Sequence, residues 1–229
     1  MTFEAIQHYL QRNLKGICLL LPMMYLAGII GLQWSVSRAF FQVLSPYNLW
    51  FSLLLLLGFH REYNRTFGLF LVLCFCTGLG IEIVGVHTGM VFGDYQYGKT
   101  LGIKVLDVPW VIGANWLLLV YSSGVLVSPW LVRWATTPLN KALLGGLLTG
   151  IIMTTLDVLI EPVAIRLDFW TWATPYIPLQ NYLAWFVIAS ALGFAFQMMV
   201  TKKENRVALL LLGLQVFFFL SHTLAFKLL

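Results

Sequence analysis

Residues 141–164 read KALLGGLLTGIIMTTLDVLIEPVA, an apolar run that carries two acidic side chains near its end. The run is long enough to cross the roughly 30 Å of hydrocarbon in a bilayer as a single helix. Asp157 and Glu161 are four residues apart, so they share one face of that helix. A carboxylate in hydrocarbon costs roughly 2.5–3.5 kcal/mol on insertion scales and is kept where it is paired or functional. The segment therefore predicts a membrane helix that carries a polar site.

The rest of the chain has the same apolar character. It has 229 residues, of which 60% are hydrophobic and 10% charged, whereas soluble domains carry about 25% charged residues. We predict an all-α, polytopic membrane helix bundle that forms a single integral-membrane domain over residues 1–229, since no hydrophilic linker divides it. The predicted spans are residues 14–33, 46–60, 66–86, 108–128, 141–164, 180–200 and 206–226.

Three prolines help to set the predicted helix starts. Pro46, Pro109 and Pro178 stand at or near the beginnings of the second, fourth and sixth spans. Proline is tolerated in a first helical turn, because the N–H that it lacks would have no partner there. We therefore expect each of these spans to begin close to its proline.

Basic residues indicate how the bundle is oriented. Lys and Arg in short loops are enriched on the cytoplasmic side of membrane proteins. Nine of the 14 Lys and Arg residues fall on the side that holds the N-terminus, which predicts a cytoplasmic N-terminus in the cell (inner) membrane. The net charge of +5 is scattered over the loops, so no patch for binding nucleic acid is expected.

A third acidic residue and two aromatic loops accompany the acidic pair. Glu82 lies in another predicted helix, among glycines that permit close packing against a neighbouring helix or a ligand. An aromatic loop follows each acidic helix, and this weak internal repeat suggests helix hairpins with both acids and both loops at one membrane face. A shared pattern of helix-starting residues explains the similarity equally well. The paired segments are Tyr95-Gln96-Tyr97 with Trp170-Thr171-Trp172, and Pro109 and Asn115 with Pro178 and Asn181.

These features predict proton chemistry on an apolar substrate. Two carboxyls on one helix face repel when both are ionised, and burial disfavours the charge further, so at least one should stay protonated. A protonated acid is what general acid catalysis requires. The structural alternative is a pair hydrogen-bonded to Arg166, to Asn181 or to each other. Likewise, the aromatic rings and His87 are residues that ordinary membrane interfaces contain.

No feature of the sequence points to a metal or a cofactor. Cys74 and Cys76 are two residues apart on a helix and point in different directions, which argues against a metal pair or a disulfide. The sequence has no Cys and His cluster with metal-ligand spacing and no Gly-rich phosphate loop. We therefore expect no metal site and a reaction that needs no cofactor.

Taken together, the motifs resemble a membrane-embedded carotenoid biosynthesis family, whose known members are carotenoid 1′,2′-hydratases acting on substrates such as γ-carotene. The resemblance spans about residues 15 to 200. It is carried by Glu82 through Gly89, Phe92-Gly93-x-Tyr95-x-Tyr97, Val108-Pro109, Asp157-x-x-x-Glu161-Pro162, Trp170-x-Trp172 and Asn181. The resemblance implies addition of water to the terminal C1=C2 double bond of an acyclic carotenoid ψ-end, as in lycopene, without a cofactor.

The chemistry of that reaction assigns roles to the candidate residues. An acid must protonate C2, π-faces must shield the tertiary cation at C1, and a base must take a proton from the attacking water. We expect one of Asp157 and Glu161 to be the acid, and Glu82 or the other member of the pair to orient the water. The predicted substrate-binding residues are His87, Asp94, Tyr95, Tyr97, Trp170, Trp172 and Asn181.

Two other functions fit the same residues. A lycopene-cyclase-like enzyme would begin with the same proton but would exclude water. A transporter or pigment-binding protein would use intramembrane acids without chemistry. The expected partners are membrane lipid, an apolar carotenoid and water, with other enzymes of the carotenoid pathway as further candidates.

Overall fold

The computed structural model describes residues 3–228, and Met1, Thr2 and Leu229 of the predicted domain lie outside the described residues. Seven of its helices are long and apolar enough to cross a membrane, which confirms the predicted all-α membrane bundle. The helices are α1 (Phe3–Arg12), α2 (Leu14–Gln33), α3 (Ser35–Gly58), α4 (Arg65–Thr88), α5 (Val111–Trp134), α6 (Pro138–Arg166), α7 (Leu179–Met199) and α8 (Arg206–Leu228). The short strands are β1 (Tyr95–Tyr97), β2 (Lys104–Val105), β3 (Val108–Pro109) and β4 (Trp170–Trp172).

One of the three helix starts predicted from prolines is wrong. Helix α3 begins at Ser35, so Pro46 lies inside it and not in its first turn. A membrane helix tolerates an internal proline because neighbouring groups satisfy the backbone that proline leaves free. Pro109 belongs to the short strand β3, which pairs with β2, and α5 begins just after it at Val111, close to the proline as expected. Pro178 is the N-cap residue of α7, as the prediction for the sixth span requires.

Helix α5 forms the centre of the bundle. Of its most apolar 18-residue window, 83% is buried inside the protein, against 22–44% for the other spans. The other helices present a large part of their surface to the surroundings, as lipid-facing helices do. Helix α5 therefore lies where side chains from several helices can meet.

Helices α6 and α7 pack closely because small residues face each other. A Cβ atom on Gly146 would lie 2.6 Å from the backbone oxygen of Ser190, and one on Gly193 would lie 2.5 Å from Cβ of Thr149. Small residues are the usual means of close helix approach in membranes. This contact places the acidic end of α6 beside the start of α7.

Strands β1 and β4 join the loops that follow the two acidic helices. They pair antiparallel, with Tyr95 opposite Trp172 and Tyr97 opposite Trp170. Backbone bonds extend the pairing at both ends, from Gly98 N to Phe169 O and from Ala173 N to Asp94 O, each 2.9 Å. The two loops that the sequence pairs as a repeat therefore meet as one ladder.

A buried polar cluster holds the helix ends at the opposite face of the bundle. His60 Nε2 donates to the Glu62 carbonyl at 2.8 Å, so Nδ1 accepts from the Tyr121 hydroxyl, also at 2.8 Å. Asn205 donates to the Leu56 carbonyl and accepts from backbone N–H groups in the first turn of α8. Burial lowers the pKa of His60, in keeping with a neutral ring that accepts from Tyr121 of α5, while Asn205 links the end of α3 to α8.

The α6–α7 contact predicts a stability difference between two glycine substitutions. Gly146→Ala should lower the free energy of unfolding by about 1–3 kcal/mol, because the new methyl group meets backbone that cannot turn away. Gly213→Ala is the matched control, since a Cβ there meets nothing within 4 Å. SDS-induced unfolding in mixed micelles measures both, and equal midpoints would contradict the close contact.

Candidate active site

Glu82 is held near the end of α4 by three aromatic hydrogen-bond donors. Its side chain is 4% exposed. Oε2 accepts from the hydroxyls of Tyr95 at 2.5 Å and Tyr97 at 2.8 Å, and Oε1 accepts from Trp116 Nε1 at 3.0 Å. Gly78 makes room for this arrangement, because a Cβ there would lie 2.5 Å from Cβ of Trp116. Both oxygens of Glu82 are therefore occupied as acceptors.

Asp157 and Glu161 form the second acidic group, on α6. They are 0% and 1% exposed. Asn181 of α7 bridges them, since its Nδ2 lies 2.7 Å from Asp157 Oδ2 and 3.4 Å from Glu161 Oε1. Glu161 Oε2 also accepts from Nε1 of Trp170 at 3.0 Å and of Trp172 at 2.9 Å. The predicted pair thus shares one amide side chain.

The β1–β4 ladder lies between the two acidic groups. Ring centroids are 5.1 Å apart for Tyr95 and Trp172, and 5.9 Å apart for Tyr97 and Trp170. The tyrosines of β1 donate to Glu82, and the tryptophans of β4 donate to Glu161. Four rings therefore form an aromatic wall whose orientation is fixed by the acids on either side.

The tyrosines keep their protons in this setting. Burial, followed by the negative charge of Glu82, raises the pKa of Tyr95 and of Tyr97 well above the ordinary value. Both hydroxyls therefore act as hydrogen-bond donors to Glu82 and are not available as bases.

The hydrogen-bond pattern distinguishes the three acids. The three donors around Glu82 suit an ionised carboxylate, which offers acceptor sites on both oxygens and has no proton of its own to place. Asp157 differs, since its Oδ1 is buried and has no hydrogen-bond partner among the described residues. A charged oxygen in that position would be strongly disfavoured. Asp157 Oδ1 is therefore the best place in the site for a proton that can be transferred.

An apolar cavity of about 430 Å³ opens next to the acidic pair. It lies between α2, α3, α5 and α8, and it is bounded on the side of the acids by Ile160 and Trp170. Trp170 therefore contacts both the cavity and Glu161. A second cavity of about 470 Å³ lies towards the loops and includes Lys99 and Asp168 in its wall. Tyr47 and Leu101 border both cavities.

Most of the predicted site residues come together, and two stand apart. Tyr95, Tyr97, Trp170, Trp172 and Asn181 all bind the acids directly. His87 is half-exposed, and its Nε2 lies 3.7 Å from Asp107 Oδ2, away from the acids. Asp94 is exposed, and its backbone carbonyl contributes to the ladder.

Two features of the site were not predicted from the sequence. Trp116 binds Glu82 and stacks on Trp185, with centroids 4.4 Å apart. The sequence signal for it was an indole N–H in the middle of an apolar helix, where a polar partner is needed. Arg166, considered as a partner for the acidic pair, instead lies 4.3 Å above the Phe226 ring and donates to the Phe226 carbonyl.

Metal ligands are not clustered in the part of the chain that the structure describes. Within residues 3–228, no group of three or more His, Cys, Asp or Glu side chains could hold a metal ion. The chemistry that the site offers is that of carboxyls, an amide and aromatic rings.

Comparison with known proteins identifies the family. The model of the carotenoid biosynthesis protein family matches residues 40–228, so the chain belongs to that family. It is also 32% identical over 146 residues to a protein of Haloarcula japonica named bisanhydrobacterioruberin hydratase. The aligned part is 62% of this chain and 48% of that protein, so the chain matches about half of the relative's length. No solved structure matches the chain.

The bond between Trp116 and Glu82 predicts a measurable coupling. Trp116→Phe keeps an aromatic ring against Trp185 but removes the donor to Glu82 Oε1, and it should cost about 1–3 kcal/mol of unfolding free energy. Trp34→Phe is the control, because Trp34 is 67% exposed. In a double-mutant cycle with Glu82→Gln, the losses of unfolding free energy caused by the two substitutions should not add. Additive losses would show that the bond contributes nothing to stability.

Proposed function

We propose that this member of the carotenoid biosynthesis family is a carotenoid 1′,2′-hydratase, which adds water to the terminal C1=C2 double bond of an acyclic carotenoid ψ-end. The observation that carries the proposal is the buried pair of Asp157 and Glu161, in which Glu161 accepts from Trp170, a residue that also lines the apolar cavity. The similarity to a protein named as a hydratase supports the same reaction class. Lycopene and γ-carotene are the proposed substrates, since both have a ψ-end.

The reaction begins with proton transfer from Asp157. Its O–H bond breaks as a C–H bond forms at C2, and loss of the π bond leaves a tertiary cation at C1. Water then forms the C1–O bond, and one of its protons passes to Glu161. The pair ends with as many protons as it began with, and exchange of that proton between its two carboxyls restores the starting state. No cofactor takes part in these steps.

The aromatic wall stabilises the intermediate cation. An aromatic face beside a desolvated cation contributes about 2 kcal/mol or more, and the wall offers the rings of Tyr97 and Trp170 next to the acidic pair. Glu82 orients the two tyrosines by accepting from their hydroxyls, and its charge adds to the stabilisation. Glu82 is therefore proposed to position the wall, and Asp157 and Glu161 to exchange protons with the substrate and water.

Trp170 is proposed to control contact between substrate and acid. It stands between the 430 Å³ cavity and Glu161. If its indole turns away, Glu161 Oε2 keeps the bond from Trp172, so the carboxyl is not left without a donor. The apolar end of a carotenoid would enter the cavity from lipid, between helices, with the acids close to the face that carries the loops.

Pigment analysis in a host that makes lycopene or γ-carotene tests the reaction. Wild-type protein should yield a product heavier by one water with a tertiary hydroxyl, and an isomer of unchanged mass would indicate a cyclase. Asp157→Asn and Glu161→Gln should lower the rate by roughly 10²–10⁴-fold, the usual contribution of general acid–base catalysis. Glu204→Gln is the control, because that side chain is exposed. Normal hydration by both site variants would refute the assigned roles.

Thiol labelling tests the proposed orientation in the cell membrane, with a cytoplasmic N-terminus. In a cysteine-free background, Asp94→Cys and Thr171→Cys should react with impermeant reagents in intact cells, since both positions are exposed in the loops around the ladder. Thr136→Cys, exposed at the other face, should react only after the cytoplasmic side is opened. The reverse pattern would invert the topology and leave the site itself unchanged.

A further inference from the structure

The apolar cavity beside Trp170 is lined by a residue whose polar group has no partner among the described residues. Gln215, in α8, lines the cavity and is 3% exposed. Its amide nitrogen has no hydrogen-bond partner among the described residues. It lies nine residues from the start of α8, about 14 Å along the helix at 1.5 Å per residue, and therefore deep in the bundle. An amide buried in this way is disfavoured unless a ligand supplies the partner.

Other polar groups border the same part of the bundle. Asn48 and Asn115 also line the cavity, and the hydroxyl of Tyr25 lies beside Asn48 and Ser52. The remainder of the wall is mainly aliphatic and aromatic, for example Leu32, Phe41 and Phe218. The cavity thus combines a surface for hydrocarbon with a few hydrogen-bonding groups, which is the usual composition of a site that fixes one polar atom of an apolar ligand.

We infer that Gln215 binds an oxygen atom of the ligand, so the cavity selects an isoprenoid segment that bears a hydroxyl or carbonyl group over one that is purely hydrocarbon. The amide nitrogen is itself buried, so the Gln215 side chain turns when the ligand binds and donates its N–H to that oxygen, while the aliphatic and aromatic lining of the cavity holds the chain. A pure hydrocarbon in the cavity would leave the amide without a partner. The inference rests on the proposed function only in taking the ligand to be an isoprenoid polyene.

Two substrates that differ by one hydroxyl group test whether Gln215 binds an oxygen atom of the ligand. The purified protein in proteoliposomes is given lycopene and a derivative with a hydroxyl group on the isoprene unit next to one ψ-end, and hydration of that ψ-end is measured for each. Wild type should prefer the hydroxylated compound in kcat/KM by roughly tenfold, the factor that corresponds to about 1.4 kcal/mol. Gln215→Leu should abolish the preference by lowering kcat/KM for the hydroxylated compound more than for lycopene, because it removes the donor at similar volume. Gln215→Met serves the same purpose if the leucine variant does not fold.

The results separate this inference from the proposed function. If Gln215→Leu slows both substrates equally, Gln215 acts on water or on the reaction itself, and the inference is wrong. Equal use of both substrates by wild type would also overturn it. If neither compound is hydrated, binding is measured by the shift of polyene absorption. A tighter complex of the hydroxylated compound that Gln215→Leu weakens would then support the oxygen site while the hydratase assignment fails.

Discussion

The structure depends on hydrogen bonds from aromatic side chains to carboxyl groups that are buried in a membrane bundle. Each acid would be strongly disfavoured in hydrocarbon without donors. Phenol and indole are suited to this task, because each carries one donor on a large apolar body that neighbouring helices can cover. Since the donors must point at the acids, the acids also orient the rings of β1 and β4. One electrostatic requirement therefore determines the orientation of the whole aromatic wall.

The two acidic groups meet this requirement to different degrees. Glu82 is surrounded by three donors, which suits a permanent charge that does not exchange protons. Asp157 keeps one oxygen without a partner in the described structure, and Asn181 links it to Glu161. Because repulsion disfavours two neighbouring charges, this pair is suited to hold a single shared proton. Under the proposed hydration, this division gives each of the three acids a role although only one proton is transferred.

The sequence predicts the structural features that depend on residues close together along the chain. The seven spans follow from apolar length, and the shared face of Asp157 and Glu161 follows from helical spacing. The start of α3 could not be found, because packing overrides the preference of Pro46 for a first turn. The strand pairing depends on contacts between residues about 75 positions apart, for which the alternating aromatic residues gave only a hint. The unsatisfied Gln215 amide is visible only once its neighbours are known.

The positions of the donors along the chain also bear on how such a protein enters the membrane during synthesis. Glu82 is satisfied by residues 13, 15 and 34 positions later, and Glu161 by residues 9 and 11 positions later. Each acid therefore has its donors within its own hairpin or the loop that follows it. Neither acid has to wait in lipid for a distant part of the chain to emerge from the ribosome. The ladder between β1 and β4 then joins two segments of the chain, each of which already supplies hydrogen-bond donors to its own acid.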